Sequence, residues 1–188
     1  MNTASNARPE ASRIAFEHPP VLVVMGVSGS GKTTFAELIA GRLGWDLQEG
    51  DALHPEANVA KMASGTPLTD DDRWPWLDRI ASWIDAHLAA GEPAVITCSA
   101  LKRSYRDRLA RPNVVFVHLA GGRELIADRL EHRTGHYMPA SLLGSQFETL
   151  EPLEPGERGL VVDAQGTPED EVAEAIARLG LEGGSGAH

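Results

Sequence analysis

The stretch Gly26-Val27-Ser28-Gly29-Ser30-Gly31-Lys32-Thr33 directly follows the apolar run Val21-Leu22-Val23-Val24-Met25. It satisfies every fixed position of the pattern G-x-x-x-x-G-K-[ST], with a strand-like run ahead of it and helical spacing behind it. The glycines let the backbone curl so that several N–H groups converge, and the helix that follows presents its positive end. Lys32 and Thr33 then stand where the β/γ-phosphates and the Mg²⁺ of a nucleoside triphosphate are met. A phosphate cradle is therefore expected from Gly26, Val27, Ser28, Gly29, Ser30, Gly31, Lys32, Thr33 and Thr34, with Thr33 as the metal ligand. The acceptor of the phosphoryl group is left open by the motif.

Working outward, strand-like runs at 21–25, 46–49, 94–98, 114–119 and 160–163 alternate with segments of helical spacing. That is the βαβ alternation of an α/β fold with a parallel sheet covered on both faces. The first helix is predicted over 32–43, burying Phe35, Ile39 and Leu43 and ending at Gly44. A longer helix begins near Thr69 or Asp70, carries Leu77, Ile80, Ile84 and Leu88 on one stripe with Trp74, Trp76 and Trp83 beside it, and stops at Gly91 and Pro93. Gly121-Gly122 opens a helix bearing Ile126 and Leu130, after which Arg129, Arg133 and His136 precede a helix started by Pro139. That hairpin, about 121–150, is the candidate lid. A last helix follows Thr167-Pro168 and buries Val172, Ile176 and Leu179.

The 188 residues suit one domain, read as 20–181, with 1–19 as a disordered arm and 182–188 as a flexible tail. A formal charge of −10 opposes a nucleic-acid partner, because affinity for polyanions comes from basic patches. No run approaches the roughly 20 apolar residues that span a bilayer, and the first residues lack the apolar centre of a secretory signal, so no membrane partner and a cytoplasmic location are expected. The single cysteine, Cys98, permits no intramolecular disulfide and reads as a small buried core residue.

Ligands of open parallel sheets lie outside the carboxyl ends of the strands, which directs attention to the residues after each run. The second run leads into Gly50-Asp51-Ala52-Leu53-His54-Pro55, where Asp51 can take a proton from an attacking hydroxyl or hold magnesium through water. The third ends in Cys98-Ser99-Ala100 without the acidic residue P-loop proteins often carry there, so magnesium is left to Thr33, phosphate oxygens and water. Lys102 is the member of the basic cluster Lys102-Arg103-Ser104-Tyr105-Arg106-Asp107-Arg108 nearest the strand end and the better ligand; Arg103 and Arg108 read as a solvated face, with Asp107 a local partner. The run Asp70-Asp71-Asp72 complements a helix dipole, whereas Arg73 beside it has the planar fork that grips a carboxylate. His132 and His136 have i, i+4 spacing, but Gly135 interrupts them and no acidic third ligand accompanies them, so a structural metal is rejected.

These blocks carry a close resemblance to the gluconate kinases among the P-loop small-molecule kinases. The restrictive ones are Gly50-Asp51-Ala52-Leu53-His54-Pro55, Lys61-Met62-Ala63-Ser64-Gly65-Thr66-Pro67-Leu68, Asp70-Asp71-Asp72-Arg73-Trp74-Pro75-Trp76-Leu77, Ser99-Ala100-Leu101-Lys102 and Ser145-Gln146-Phe147-Glu148-Thr149-Leu150, with Gly135-His136-Tyr137-Met138 departing slightly at Tyr137. The resemblance implies a nucleoside-monophosphate-kinase-like fold of five parallel strands with a mobile lid, and ATP-dependent phosphorylation of D-gluconate at its 6-hydroxyl, with Mg²⁺. It also implies a homodimer. Lys32, Asp51, Arg129 and Arg133 are then the expected catalytic groups, the two arginines neutralising the transferring group as the lid closes. Asp51, His54, Lys61, Arg73, Lys102, His136 and Gln146 are the expected sugar-acid contacts. Two alternatives stay open: another small-molecule kinase acting on shikimate, a nucleoside monophosphate or adenylylsulfate, and a nucleotide-operated switch, although the guanine-reading Asn-Lys-x-Asp tetrapeptide is missing.

Overall fold

The structure is a computed structural model that describes residues 14, 16–132 and 140–181. The run Val21–Met25 forms strand β1, every residue of it buried, as expected of a central strand covered on both faces. Around it lie β2 (Asp46–Glu49), β3 (Ala94–Thr97), β4 (Val114–Ala120) and β5 (Gly159–Asp163), all parallel, in the order β2-β3-β1-β4-β5. The five expected strands are all present; β3 stops one residue short of Cys98 and β4 and β5 each gain one.

Alternation of side chains along β1 divides the core into two layers. Val21, Val23 and Met25 pack with Trp76, Leu77, Ile80 and Ile84 of α3 (Asp70–Ala90) and with Tyr105 and Leu109 of α4 (Arg103–Leu109). Leu22 and Val24 face Phe35 and Ile39 of α1 (Lys32–Leu43) and Val172, Ile176 and Leu179 of α7 (Pro168–Leu179). A third, smaller cluster roofs the phosphate loop: Val27 and Leu101 meet Ile126 of α5 (Arg123–Glu131) and Leu143 of α6 (Ala140–Thr149). Arg133 and His136, and the turn of the expected lid that holds them, lie outside the described residues. The arm expected over 1–19 is not loose throughout, since Ile14 and Phe16 pack against the second layer and the Arg158 guanidinium sits over the Phe16 ring at 5.6 Å.

Helix α3 starts where its capping chemistry says it must. The Thr69 hydroxyl accepts from the Asp72 amide at 3.2 Å and the Asp72 carboxylate accepts from the Thr69 amide at 2.8 Å, a reciprocal capping box. This fixes Asp70 and Arg73 at the carboxyl edge of the sheet. Helix α2 (Glu56–Ala63), which the residue patterns do not predict, follows a short 3₁₀ turn (Gly50–Leu53) after β2.

One carboxyl group in the second layer has a measurable consequence for stability. Glu171, 5 % exposed in the first turns of α7, has its pKa pushed up to about 7, mainly by burial, with Arg129 opposing the rise. Because the folded value lies above the ordinary 4.5, folding is favoured most below that value and loses stability as pH rises through 7. Glu171→Gln should therefore melt at a higher temperature than the parent at pH 8, with the difference shrinking toward zero near pH 5. A pH-independent difference in thermal melts would show that the carboxyl is not buried as described.

Candidate active site

The turn from β1 into α1 is a cradle of backbone. Gly26 has φ 145°, and a Cβ there would lie 2.8 Å from the Leu119 carbonyl oxygen and 2.8 Å from Ser30 Oγ, so only glycine fits. The Gly26 amide donates to the Ser99 carbonyl at 3.3 Å, tying the loop to the end of β3. Lys32 folds back over the loop and donates to the Gly26 and Val27 carbonyls at 2.9 and 3.0 Å. Ser28, Gly29, Gly31, Lys32 and Thr33 share one pocket with Glu49, Asp51, Thr97, Cys98 and Ser99. The phosphate cradle and Asp51 thus face the same space, as the sequence leads one to expect.

Asp51 reaches that space because β2 passes unusually close to β3. The Gly50 amide donates to Thr97 Oγ1 at 3.1 Å, and a Cβ on Gly50 would fall 1.9 Å from the Thr97 carbonyl oxygen. The Gly50 carbonyl accepts from Trp76 Nε1 at 2.8 Å, so strand, turn and α3 are locked together. The Asp51 side chain, 90 % exposed, projects from this anchored turn, 4.0 Å from His54 Nε2. His54 stacks on Trp76 with ring centres 4.2 Å apart, and burial holds its pKa below the ordinary 6.5.

Sequence reasoning finds no acid at the end of β3, and that holds; it missed the acid next door. Glu49, register partner of Thr97, accepts from Thr97 Oγ1 at 2.6 Å through one oxygen, while its other oxygen, Oε1, is buried with no hydrogen-bond partner among the described residues. An orphaned carboxylate oxygen in a pocket with Thr33 and Asp51 suits a divalent cation that completes its shell with phosphate oxygens and water. Among the described residues no set of three or more His, Cys, Asp or Glu gathers to hold a metal unaided.

Arg73 and Lys102 are brought together by one carboxylate. Both oxygens of Asp70 accept from Lys102 Nζ, at 3.1 and 3.0 Å, and Arg73 Nη1 lies 3.7 Å from Asp70 Oδ1. The Tyr105 hydroxyl donates to the same Asp70 oxygen in a short hydrogen bond and accepts from Arg73 Nη1 at 3.0 Å. The Tyr105 hydrogen bond, followed by that of Lys102, draws the Asp70 pKa below its ordinary value. Tyr105 went unremarked in the sequence beyond its place in a basic cluster.

Lys61 is committed to the α3 cap, donating to Asp72 at 2.6 Å, which with the Thr69 hydrogen bonds pulls the Asp72 pKa down to about 2. Gln146 leans on the phosphate loop: its Oε1 accepts from the Ser28 amide at 2.7 Å and its Nε2 donates to Ser28 Oγ at 3.3 Å. Arg129 donates to the Ser30 carbonyl at 3.5 Å and to the Ala164 carbonyl after β5, and so bridges the loop and the far side of the sheet edge. Arg103 pairs with Asp107 at 2.8 Å, as their i, i+4 spacing suggests, and Arg108 pairs with Asp78 of α3, 30 residues away, also at 2.8 Å. Burial pushes the Cys98 thiol up to about 12, in keeping with a core residue.

Comparison with known proteins agrees with this geometry. A family model described as an AAA domain matches residues 21–153. Gluconokinase of Gluconobacter oxydans (strain 621H) is 54 % identical over 156 residues, which are 82 % of this chain and 86 % of that one. The chain belongs to the gluconokinase family. Among solved structures, a gluconokinase from Sinorhizobium meliloti 1021 is 50 % identical and superposes with a TM-score of 0.79 over 87 % of this chain and 93 % of its own. A sugar kinase from Janibacter sp. HTCC2649, unliganded, is 50 % identical with a TM-score of 0.83, covering 90 % of this chain and 99 % of its own.

The loop that carries Ser99 and Lys102 is fastened from beneath by Arg106, whose role the sequence did not signal. Its guanidinium, 0 % exposed, donates to both oxygens of Glu157 at 2.6 and 3.1 Å and to the carbonyls of Ala100, Leu101 and Pro152. Ala100 has φ 46°, a left-handed conformation costly for alanine that this net of bonds sustains. Removing one partner of a buried pair leaves the other unpaired, so Arg106→Met should cost about 3–5 kcal/mol in urea denaturation. Arg108→Met, at an exposed and solvent-screened pair, should cost far less. Equal losses at the two sites would contradict the assignment.

Proposed function

We propose that this chain catalyses ATP-dependent phosphorylation of D-gluconate at the 6-hydroxyl, giving 6-phospho-D-gluconate and ADP. The observation that carries the reading is the shared pocket of Lys32, Thr33 and Asp51, with His54 4.0 Å from Asp51 and the cations Arg73 and Lys102 paired on Asp70. A phosphate site, a proton acceptor and a carboxylate grip then lie in sequence along one sheet edge, which is what a kinase for a polyol acid needs.

In the reaction the sugar O6 forms a bond to the γ-phosphorus as the bond between that phosphorus and the bridging oxygen to the β-phosphate breaks, and the hydroxyl proton passes to the Asp51 carboxylate. Loop amides and Lys32 stabilise the charge on the transferring group. Thr33, with Glu49 and Asp51 near it, would hold Mg²⁺, which supplies further positive charge at the phosphates. Positioning dominates: orienting two reactants supplies on the order of 7–11 kcal/mol, whereas a general base adds about a hundredfold to ten-thousandfold in rate. Arg73 and Lys102 are assigned to the gluconate carboxylate, His54 and Gln146 to its hydroxyls, and Lys61 and His136 to the periphery of the acid site. Arg129 and Arg133 are assigned to the phosphoryl group under a lid at about 121–150.

A cytoplasmic location and a homodimer belong to the same reading, the single, buried cysteine being compatible with a reducing compartment. No helix among the described residues is long and apolar enough to cross a membrane.

ADP release with gluconate, shikimate, adenylylsulfate and nucleoside monophosphates as acceptors separates this function from its rivals, and only gluconate should accelerate it. Lys32→Ala should lose turnover with any acceptor, and Asp51→Asn should lower kcat about a hundredfold or more with ATP binding retained. Arg73→Ala should mainly raise KM for the acid. A KM defect confined to ATP would transfer Arg73 to the nucleotide site, and near-normal Lys32→Ala activity would eliminate the cradle.

A further inference from the structure

The imidazole of His54 has two nitrogens with different partners, and a neighbouring amide decides between them. Asn58 on α2 is buried, 4 % exposed, and its Nδ2 donates to the backbone carbonyl of Asp72 at 2.8 Å. A carbonyl oxygen can only accept, so the NH₂ end of the Asn58 amide faces it. The same Nδ2 lies 3.2 Å from His54 Nδ1 and has a second hydrogen for it. A ring nitrogen that receives a hydrogen bond carries no proton of its own, which leaves the proton of the neutral imidazole on Nε2.

The geometry points to Asn58 as a positioning residue that fixes His54 as the Nε2–H tautomer, making His54 a hydrogen-bond donor to a hydroxyl of the sugar acid. This deepens the proposed function and rests on it for the identity of the acceptor. A half-turn of the ring about Cβ–Cγ would keep its stack on Trp76 but set the carbon Cδ2 against Asn58 Nδ2 in place of Nδ1, so the Asn58 hydrogen bond selects this orientation. Nε2 points toward Asp51, yet its 4.0 Å separation from Oδ1 is too long for a direct hydrogen bond. A polyol hydroxyl entering that gap meets a donor on one side and a carboxylate acceptor on the other, and satisfies both at once. Burial, with Arg73 acting in the same direction against Asp51, favours the neutral ring that this arrangement needs. Protonating Nδ1 would set two N–H groups against each other at Asn58.

Long-range ¹H–¹⁵N correlation spectra of the whole enzyme at neutral pH, with His54 assigned by its loss in His54→Gln, should show the Nε2–H pattern. Asn58→Asp sets a carboxylate against Nδ1 and should draw a proton there, giving the Nδ1–H tautomer or imidazolium. In that variant KM for gluconate should rise up to about tenfold, the scale of one lost hydrogen bond, while KM for ATP stays within about twofold. Asn58→Ala should raise KM for gluconate in the same way.

A wild-type spectrum with the proton on Nδ1 would overturn the inference, and it decides the matter even if neither Asn58 variant folds. A variant whose tautomer changes while KM for gluconate does not would overturn it too. If the wild-type enzyme shows the Nε2–H pattern but releases no ADP in response to gluconate, the function fails and the tautomer assignment stands.

Discussion

The close approach of the β2 end to the β3 end governs the rest of this site. Gly50 lies so near the Thr97 carbonyl that any side chain would collide with it, its amide is held by the Thr97 hydroxyl, and its own carbonyl is held by Trp76. The phosphate loop is fastened to the same strand two residues on, at the Ser99 carbonyl. Two ligand-bearing turns that are distant in sequence are thereby referenced to one rigid strand end. Asp51 and Lys32 share a pocket because neither turn can drift from β3.

Electrostatics complete what packing begins. The chain carries a net charge of −10, yet the cations at this edge are not loose. Lys102 and Arg73 converge on Asp70, and Lys61 on Asp72, so each is oriented by an acid in the first turn of α3. Such pairs hold long side chains near one geometry before a ligand arrives, which lowers the entropy lost on binding. One carboxylate between two cations leaves a net positive charge, opposite in sign to a sugar acid.

The residues that had to be read one strand or one helix at a time were legible from the sequence. The buried run before the glycine-rich loop, the Thr69 cap and the stripe Leu77, Ile80, Ile84 each declare themselves through local periodicity or capping chemistry. Groups defined by contacts across the sheet were not. Glu49 is the last residue of β2, directly before the Gly50-Asp51 turn, but only the register with Thr97 reveals that it faces the pocket. Arg106 looks like one more cation in a basic cluster until Glu157, 51 residues away, closes over it. Asn58 becomes informative only when α2 is seen to press it against Asp72 and His54.

The most direct test of the account is a crystal structure with a nonhydrolysable ATP analogue and gluconate bound together. The γ-phosphate should lie on the amides of the 26–33 loop, the 6-hydroxyl in line with it beside Asp51, and the carboxylate at Arg73 and Lys102. Nucleotide and sugar acid in separate hollows, with Asp51 touching neither, would contradict it.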